Sequence, residues 1–295
     1  MNSVLNSKKT IFLLVFPGLA IMVFAILAPI LLSLYYSLTS WSGFGAKEFI
    51  GLANYKEIIT KDATFWRSLW NALLLLGVTV FIQNVLAFIL ASVLIQLTDR
   101  LSLILRTIYF VPAILTVVVI TKLWVNIMNP NFGLLNKLLK SAGLEDLAYA
   151  WLSDPKTALG AVIFITVWHG FGWALLFYYS GLTTVPKELE EAAVVDGAGP
   201  VTRYLKVVIP YMMPVIQAVI IIDITACLKQ MEIVMLTTAG GPGNTTQFVA
   251  YHLYEQAFKF SRYGYGNAIS ILFVIIALTI TLLARKYLSG DNGNE

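Results

Sequence analysis

The chain has 295 residues, 58% of them hydrophobic and 12% charged, with a formal net charge of +4 at neutral pH. Soluble domains carry about 25% charged residues, so this composition belongs to a chain that faces lipid. The cations form no basic tract, which argues against a nucleic-acid partner, and Cys227, the only cysteine, excludes a disulfide framework and a cysteine-built metal site.

In chain order, apolar spans occupy 11–38, 68–97, 103–127, 157–181, 205–235 and 263–286. Each reaches or exceeds the roughly 20 residues that carry a helix across a bilayer. Hydrocarbon offers no partner to backbone N–H and C=O groups, so each span is expected to be helical. The first follows Lys8 and Lys9, as a signal peptide would, but Ile11–Leu38 far exceeds the roughly 7–15 apolar residues of such a signal. The fifth is interrupted by Pro210, Pro214, Asp223, Lys229 and Glu232, yet Val215–Ile222 is almost unbroken. No repeat, low-complexity tract or soluble segment stands out. The expected fold is therefore an all-α integral membrane protein of about six transmembrane helices in one domain, 1–295.

With Lys8 placed inside, inner and outer segments hold nine basic residues each. The inner segments are shorter and their cations lie nearer to helix ends, where the positive-inside rule has most weight. Both termini are thus expected in the cytoplasm.

Between the fourth and fifth spans, Pro186 suits a first helical turn, and Glu188, Glu190 and Glu191 place negative charge near the positive end of a helix. Leu189, Ala192, Ala193 and Val195 form a small apolar stripe. Gly197 can close the helix in the left-handed conformation, and Pro200 blocks its resumption. The result is a capped amphipathic helix of about ten residues, too short to be stable alone in water. It either lies on the lipid headgroups or presents its alanine face to another protein.

Ionisable groups inside spans cost roughly 2.5–3.5 kcal/mol at mid-bilayer and tend to face cavities or partners. In the fifth span, Ile222, Thr225, Ala226 and Lys229 share one helical face, with Gln230 nearby, and Glu232 lies three residues beyond Lys229, within pairing reach. They either line a path or fix helix packing. The fourth span carries Thr166, Trp168, His169, Gly170 and Trp173. That mixture of aromatic faces and polar groups suits a small-ligand site, although Trp also favours membrane interfaces and a lone His can bond a neighbouring helix.

Glu191-Ala192-Ala193, Gly197 three residues later, then Val207-x-Ile209-Pro210 resemble the EAA motif of the membrane subunits of binding-protein-dependent ABC importers, with Val207 and Ile209 as conservative departures. Three further segments resemble the carbohydrate branch of that family, the maltose, oligosaccharide and glycerol-phosphate permeases: Phe49–Tyr55, Asn129–Asn136, and Leu236–Pro242 followed by Thr245-Thr246. The resemblance spans about 11–287. It implies the type I permease fold, a bacterial or archaeal plasma membrane, and a cytoplasmic coupling helix seated on an ABC ATPase dimer. Glu191, Ala192, Ala193, Asp196 and Gly197 then make or shape that contact. It also implies a second permease, usually a different chain, and an extracytoplasmic solute-binding protein. His169, Gly170 and Trp173 match sugar-contacting positions of maltose-type relatives, and Thr225, Ala226, Lys229 and Glu232 match path-lining ones.

No G-x-x-x-x-G-K-[ST] loop occurs. ATP and magnesium are therefore expected on the partner ATPase, with no cofactor in this chain. No Gly-x-Gly-Asp, His-Glu-x-x-His or Gly-x-Ser-x-Gly motif organises a catalytic group, which argues against an intramembrane enzyme. A secondary transporter would not need the EAA-type helix. A sugar is the expected cargo, and glycerol phosphate or another polar solute is the alternative. A phosphate would favour several cations along the path, and Lys229 is the one good candidate there, with Lys122 the other lysine deep in a span, which leans towards a neutral glycoside.

Overall fold

The structure is a computed structural model and describes residues 8–288; the two ends, on which the expected cytoplasmic termini fall, lie outside the described residues. In chain order the main elements are α1 (Thr10–Ser37), the two-stranded β1 (Thr39–Ser40) and β2 (Glu48–Phe49), α2 (Ala53–Lys61) and α3 (Ala63–Leu94). There follow α4 (Asp99–Ile114), α5 (Val117–Ile127), α6 (Leu134–Ser141), α7 (Ala158–Leu182) and α8 (Lys187–Val195). The chain closes with α9 (Pro200–Leu228), α10 (Glu232–Thr237), α11 (Val249–Tyr254) and α12 (Tyr263–Leu288). Helices α1, α3, α7, α9 and α12 are each long and apolar enough to cross a membrane.

The third expected span is not straight: α4 and α5 meet at a bend of 96°. Leu115 and Thr116 both take extended backbone angles, and the Thr116 hydroxyl caps the new helix by accepting from the Val119 N–H. Pro112, which has no N–H to donate, sits in the last turn before the break. Counted as one span, the pair raises the total to six. The fifth expected span also ends early, at Leu228 rather than 235, because the backbone breaks at Gln230–Met231 before α10 begins.

Two compact units divide the chain. The first comprises the described residues of Met1–Asp62 and Leu253–Ile275. There β1 and β2 pair antiparallel, Thr39 opposite Phe49. The buried Asn54 amide donates to the carbonyls of Ser37 (2.8 Å) and Thr39 (3.0 Å), and the Tyr55 and Ser37 hydroxyls share a 2.7 Å hydrogen bond. Gly51, with φ +57°, turns the chain into α2. The Phe49–Tyr55 stretch is thus a hydrogen-bonded staple. Arg262 grips Glu57 through both carboxylate oxygens at 2.7 and 2.8 Å.

The second unit comprises the described residues of Ala63–His252 and Ile276–Glu295. Its core is built around α7, where Ala174, Leu175, Tyr178 and Leu182 pack on Ala87, Ala91 and Leu94 of α3 and on Val208, Met212 and Val219 of α9. Lipid gives helices little hydrophobic reason to associate, so small residues that allow close approach carry the packing. At Gly172 a side chain would begin 2.6 Å from the Tyr109 carbonyl of α4. The loop after α10 is folded on itself: Thr246 Oγ1 donates to the Gly241 carbonyl at 2.7 Å, and the Asn71 amide of α3 donates to the carbonyls of Thr245 and Gln247 at 2.9 and 2.8 Å.

Candidate functional site

The exposed loop helix α8 is one candidate. Pro186 is its N-cap residue, one position earlier than the first turn expected for it, and Glu188 and Glu190 lie in the first turn. At the other end the Gly197 N–H bonds the Val194 carbonyl (3.0 Å) and the Ala198 N–H bonds the Ala193 carbonyl (2.9 Å). With Gly197 at φ +81°, this is the paired-bond arrangement that closes helices through a left-handed residue. Pro200 then opens α9 instead of merely delaying it. Arg203 of α9 meets Glu190 at 3.3 Å, tying the loop helix to the start of a membrane span. No residue of α8 is buried, and Val195 is 87% exposed. Glu191, Ala192, Asp196 and Gly197 are exposed and Ala193 half-buried. The five expected contact residues therefore sit together on an uncovered element.

The second candidate is a cavity of about 460 Å3 among α3, α7, α9 and the start of α10. His169, Gly170 and Trp173 reach it from α7, Ala226 from α9 and Glu232 from α10. Trp173 is 51% exposed and stands edge-on to Phe110, ring centroids 5.2 Å apart. Thr225 and Lys229 share the exposed face of α9 with Ile222 and Ala226 but do not line the cavity. The Thr225 hydroxyl turns back to the Ile221 carbonyl at 2.7 Å, and Lys229 is the C-cap of α9. The expected Lys229–Glu232 pair does not form among the described residues. The helix ends between them, so the spacing of a continuous helix no longer applies.

Gln83 and Thr79 of α3, which the sequence did not bring to notice, also line the cavity, together with Thr166, Asp223 and Gln230 of the polar sets noted in the fourth and fifth spans. Gln230 donates to the Thr166 hydroxyl at 2.9 Å. Asp223 accepts from the amide of Asn84 at 2.7 Å, which stitches α9 to α3 at mid-span. Thr79–Gln83 is a π-type widening of α3, a local irregularity common at functional positions. The available signal was the polar pair Gln83-Asn84 within an otherwise apolar span.

Residues 83–288 match the family described as binding-protein-dependent transport system inner membrane component. The probable ABC transporter permease protein YurN of Bacillus subtilis is 34% identical over 285 residues, covering 96% of this chain and 97% of that one. The multiple sugar-binding transport system permease protein MsmF of Streptococcus mutans is 31% identical over 264 residues, covering 88% and 89%. Among solved structures, a chain from a bacterial ABC transporter involved in the import of the acidic polysaccharide alginate superposes with a TM-score of 0.82 at 20% identity, covering 97% of this chain and 96% of that one. That likeness is one of fold.

Proposed function

The chain belongs to the binding-protein-dependent transport system inner membrane component family, and from that premise we propose that it forms half of an ATP-driven translocation path for a sugar or oligosaccharide. A second permease subunit, a different chain by analogy with the carbohydrate branch, supplies the other half. The name of MsmF supports the sugar reading.

The observation that carries the energetic side of this reading is α8. It is a closed, exposed, alanine-bearing helix anchored by the Arg203–Glu190 pair to α9, whose residues line the cavity. A helix so anchored moves with α9 as a lever. Its partner is a cytoplasmic ATPase dimer that holds ATP and magnesium, so hydrolysis takes place on other chains. Glu191, Ala192, Ala193, Asp196 and Gly197 make or shape that contact, and both termini of this chain lie on the same side. His169, Gly170, Trp173, Ala226 and Glu232 contact the cargo within the cavity. Thr225 and Lys229, on the outer face of α9, border the path shared with the second permease. A solute-binding protein delivers cargo from the opposite side.

The test is uptake by proteoliposomes containing this chain, the second permease and the ATPase, with binding protein outside, ATP inside and a panel of labelled oligosaccharides and glycerol phosphate. Uptake of an oligosaccharide that stops when ATP is replaced by a non-hydrolysable analogue is the expected result. Uptake driven by an ion gradient without ATP refutes the proposal, and uptake of glycerol phosphate alone refutes the sugar assignment.

A further inference from the structure

The cavity beside Trp173 has a one-sided charge. Its lining contains two carboxylates, Asp223 and Glu232, and no lysine or arginine. Lys229, the nearest cation in sequence, does not line it. Among the described residues neither carboxylate meets a cation. Asp223 is held by a neutral amide through one oxygen, and Glu232 is exposed at the head of α10. A second, independent feature gives the cavity a neutral polar group that no protein group satisfies. Gln83 is only 4% exposed, lines the cavity, and its side chain makes no hydrogen bond among the described residues. Its Oε1 lies against the bare Cα of Gly170, where an added side chain would begin 3.4 Å from it. An amide that lacks a protein partner and opens onto the cavity is free to bond whatever occupies it, water or guest. Hydroxyl groups can make such bonds, and the Trp173 and Phe177 rings beside it offer apolar faces to the C–H surface of a sugar.

We propose that Asp223 and Glu232 determine the charge of the cargo, excluding glycosides that carry carboxylate, sulfate or phosphate, while Gln83 receives a hydroxyl of the neutral or basic glycosides that remain. This rests on the reading of the chain as a permease and sharpens it: the cavity becomes a selectivity element on this chain, additional to the choice made by the binding protein. A fixed negative charge set among apolar walls lowers the local concentration of anions more than the same charge in open water would.

The charge of the cavity can be read without knowing the cargo. A reporter thiol is placed at Ala226, which is exposed and lines the cavity, as Ala226→Cys in a Cys227→Ser background, within the assembled importer in nanodiscs. Modification rates are measured with two methanethiosulfonates, one bearing a trimethylammonium group and one a sulfonate. Their ratio, relative to the same ratio for a free thiol, cancels the ionisation of the reporter and reports local potential. The ammonium reagent is expected to be favoured, and Asp223→Asn with Glu232→Gln should cut that preference roughly tenfold or more. Protection completes the test: cellobiose should slow labelling and its uronic acid analogue should not, and Gln83→Leu should abolish the protection by cellobiose while leaving the reagent ratio unchanged.

A ratio near that of a free thiol, a ratio unmoved by the double variant, or equal protection by the two saccharides overturns the proposal. ATP-driven uptake by the same nanodisc components in vesicles separates the two claims, because its absence refutes the permease reading and leaves the measured ratio to decide the charge of the cavity.

Discussion

Gly197 is held at φ +81°, a conformation that costs an L-residue roughly 1–2 kcal/mol, and its N–H closes the last turn of α8. Gly197→Asp adds that strain and a charge at the exposed tip of the helix. The expected outcome is normal insertion, judged by membrane-extracted protein, with ATP hydrolysis no longer matched by uptake. Normal uptake by this variant would count heavily against α8 as the docking element. Asn54 illustrates the opposite kind of residue, one whose work is structural. Asn54→Ala removes the donor shared by the Ser37 and Thr39 carbonyls. It should lower stability by about 1–3 kcal/mol, visible as a lower melting temperature in detergent. The side chains of α8 were legible in the sequence because capping is local chemistry: Glu188, Gly197 and Pro200 act on neighbours within a few residues. Gln83 and Asn84 were not selected, because the partner that gives Asn84 its meaning, Asp223, lies 139 residues away.

At the level of elements, α7 is the helix on which both the core and the cavity depend. One side brings Ala174, Leu175 and Tyr178 into the core, and another presents His169, Gly170 and Trp173 to the cavity. Gly172 lets α7 approach the backbone of α4 at Tyr109 and Phe110. Gly172→Val should force these helices apart at a cost of roughly 1–3 kcal/mol or more, with reduced yield and greater protease sensitivity in detergent as the readout. Trp173→Ala removes a half-exposed ring and its edge-on contact with Phe110 but leaves the close approach at Gly172 in place. It should leave yield unchanged and reduce uptake severalfold, and unchanged uptake with unchanged specificity would remove Trp173 from the path. The long apolar helices were readable because hydropathy fixes them, whereas the 96° bend between α4 and α5 was not. Leu115 and Thr116 are as apolar or as neutral as their neighbours, so the pattern runs on where the backbone turns. The early end of α9 escaped notice for the same reason: Met231 continues an apolar register while breaking the helix.

For the molecule as a whole, one exposed structure bears on life before assembly. Leu189, Val194 and Val195 leave an apolar strip uncovered on α8. Such a strip is a handle for chaperones and proteases as readily as for an intended partner. Anything that binds the folded chain there shifts it away from degradable states in proportion to its own concentration. Differences of about 1–2 kcal/mol in that balance are enough to change cellular abundance severalfold. On the proposed docking of an ATPase to α8, the supply of that partner should therefore raise the steady-state amount of this chain, adding turnover to synthesis in setting stoichiometry. A pulse-chase comparison in cells with and without the partner ATPase should show the half-life of the chain shortening several-fold when the partner is missing.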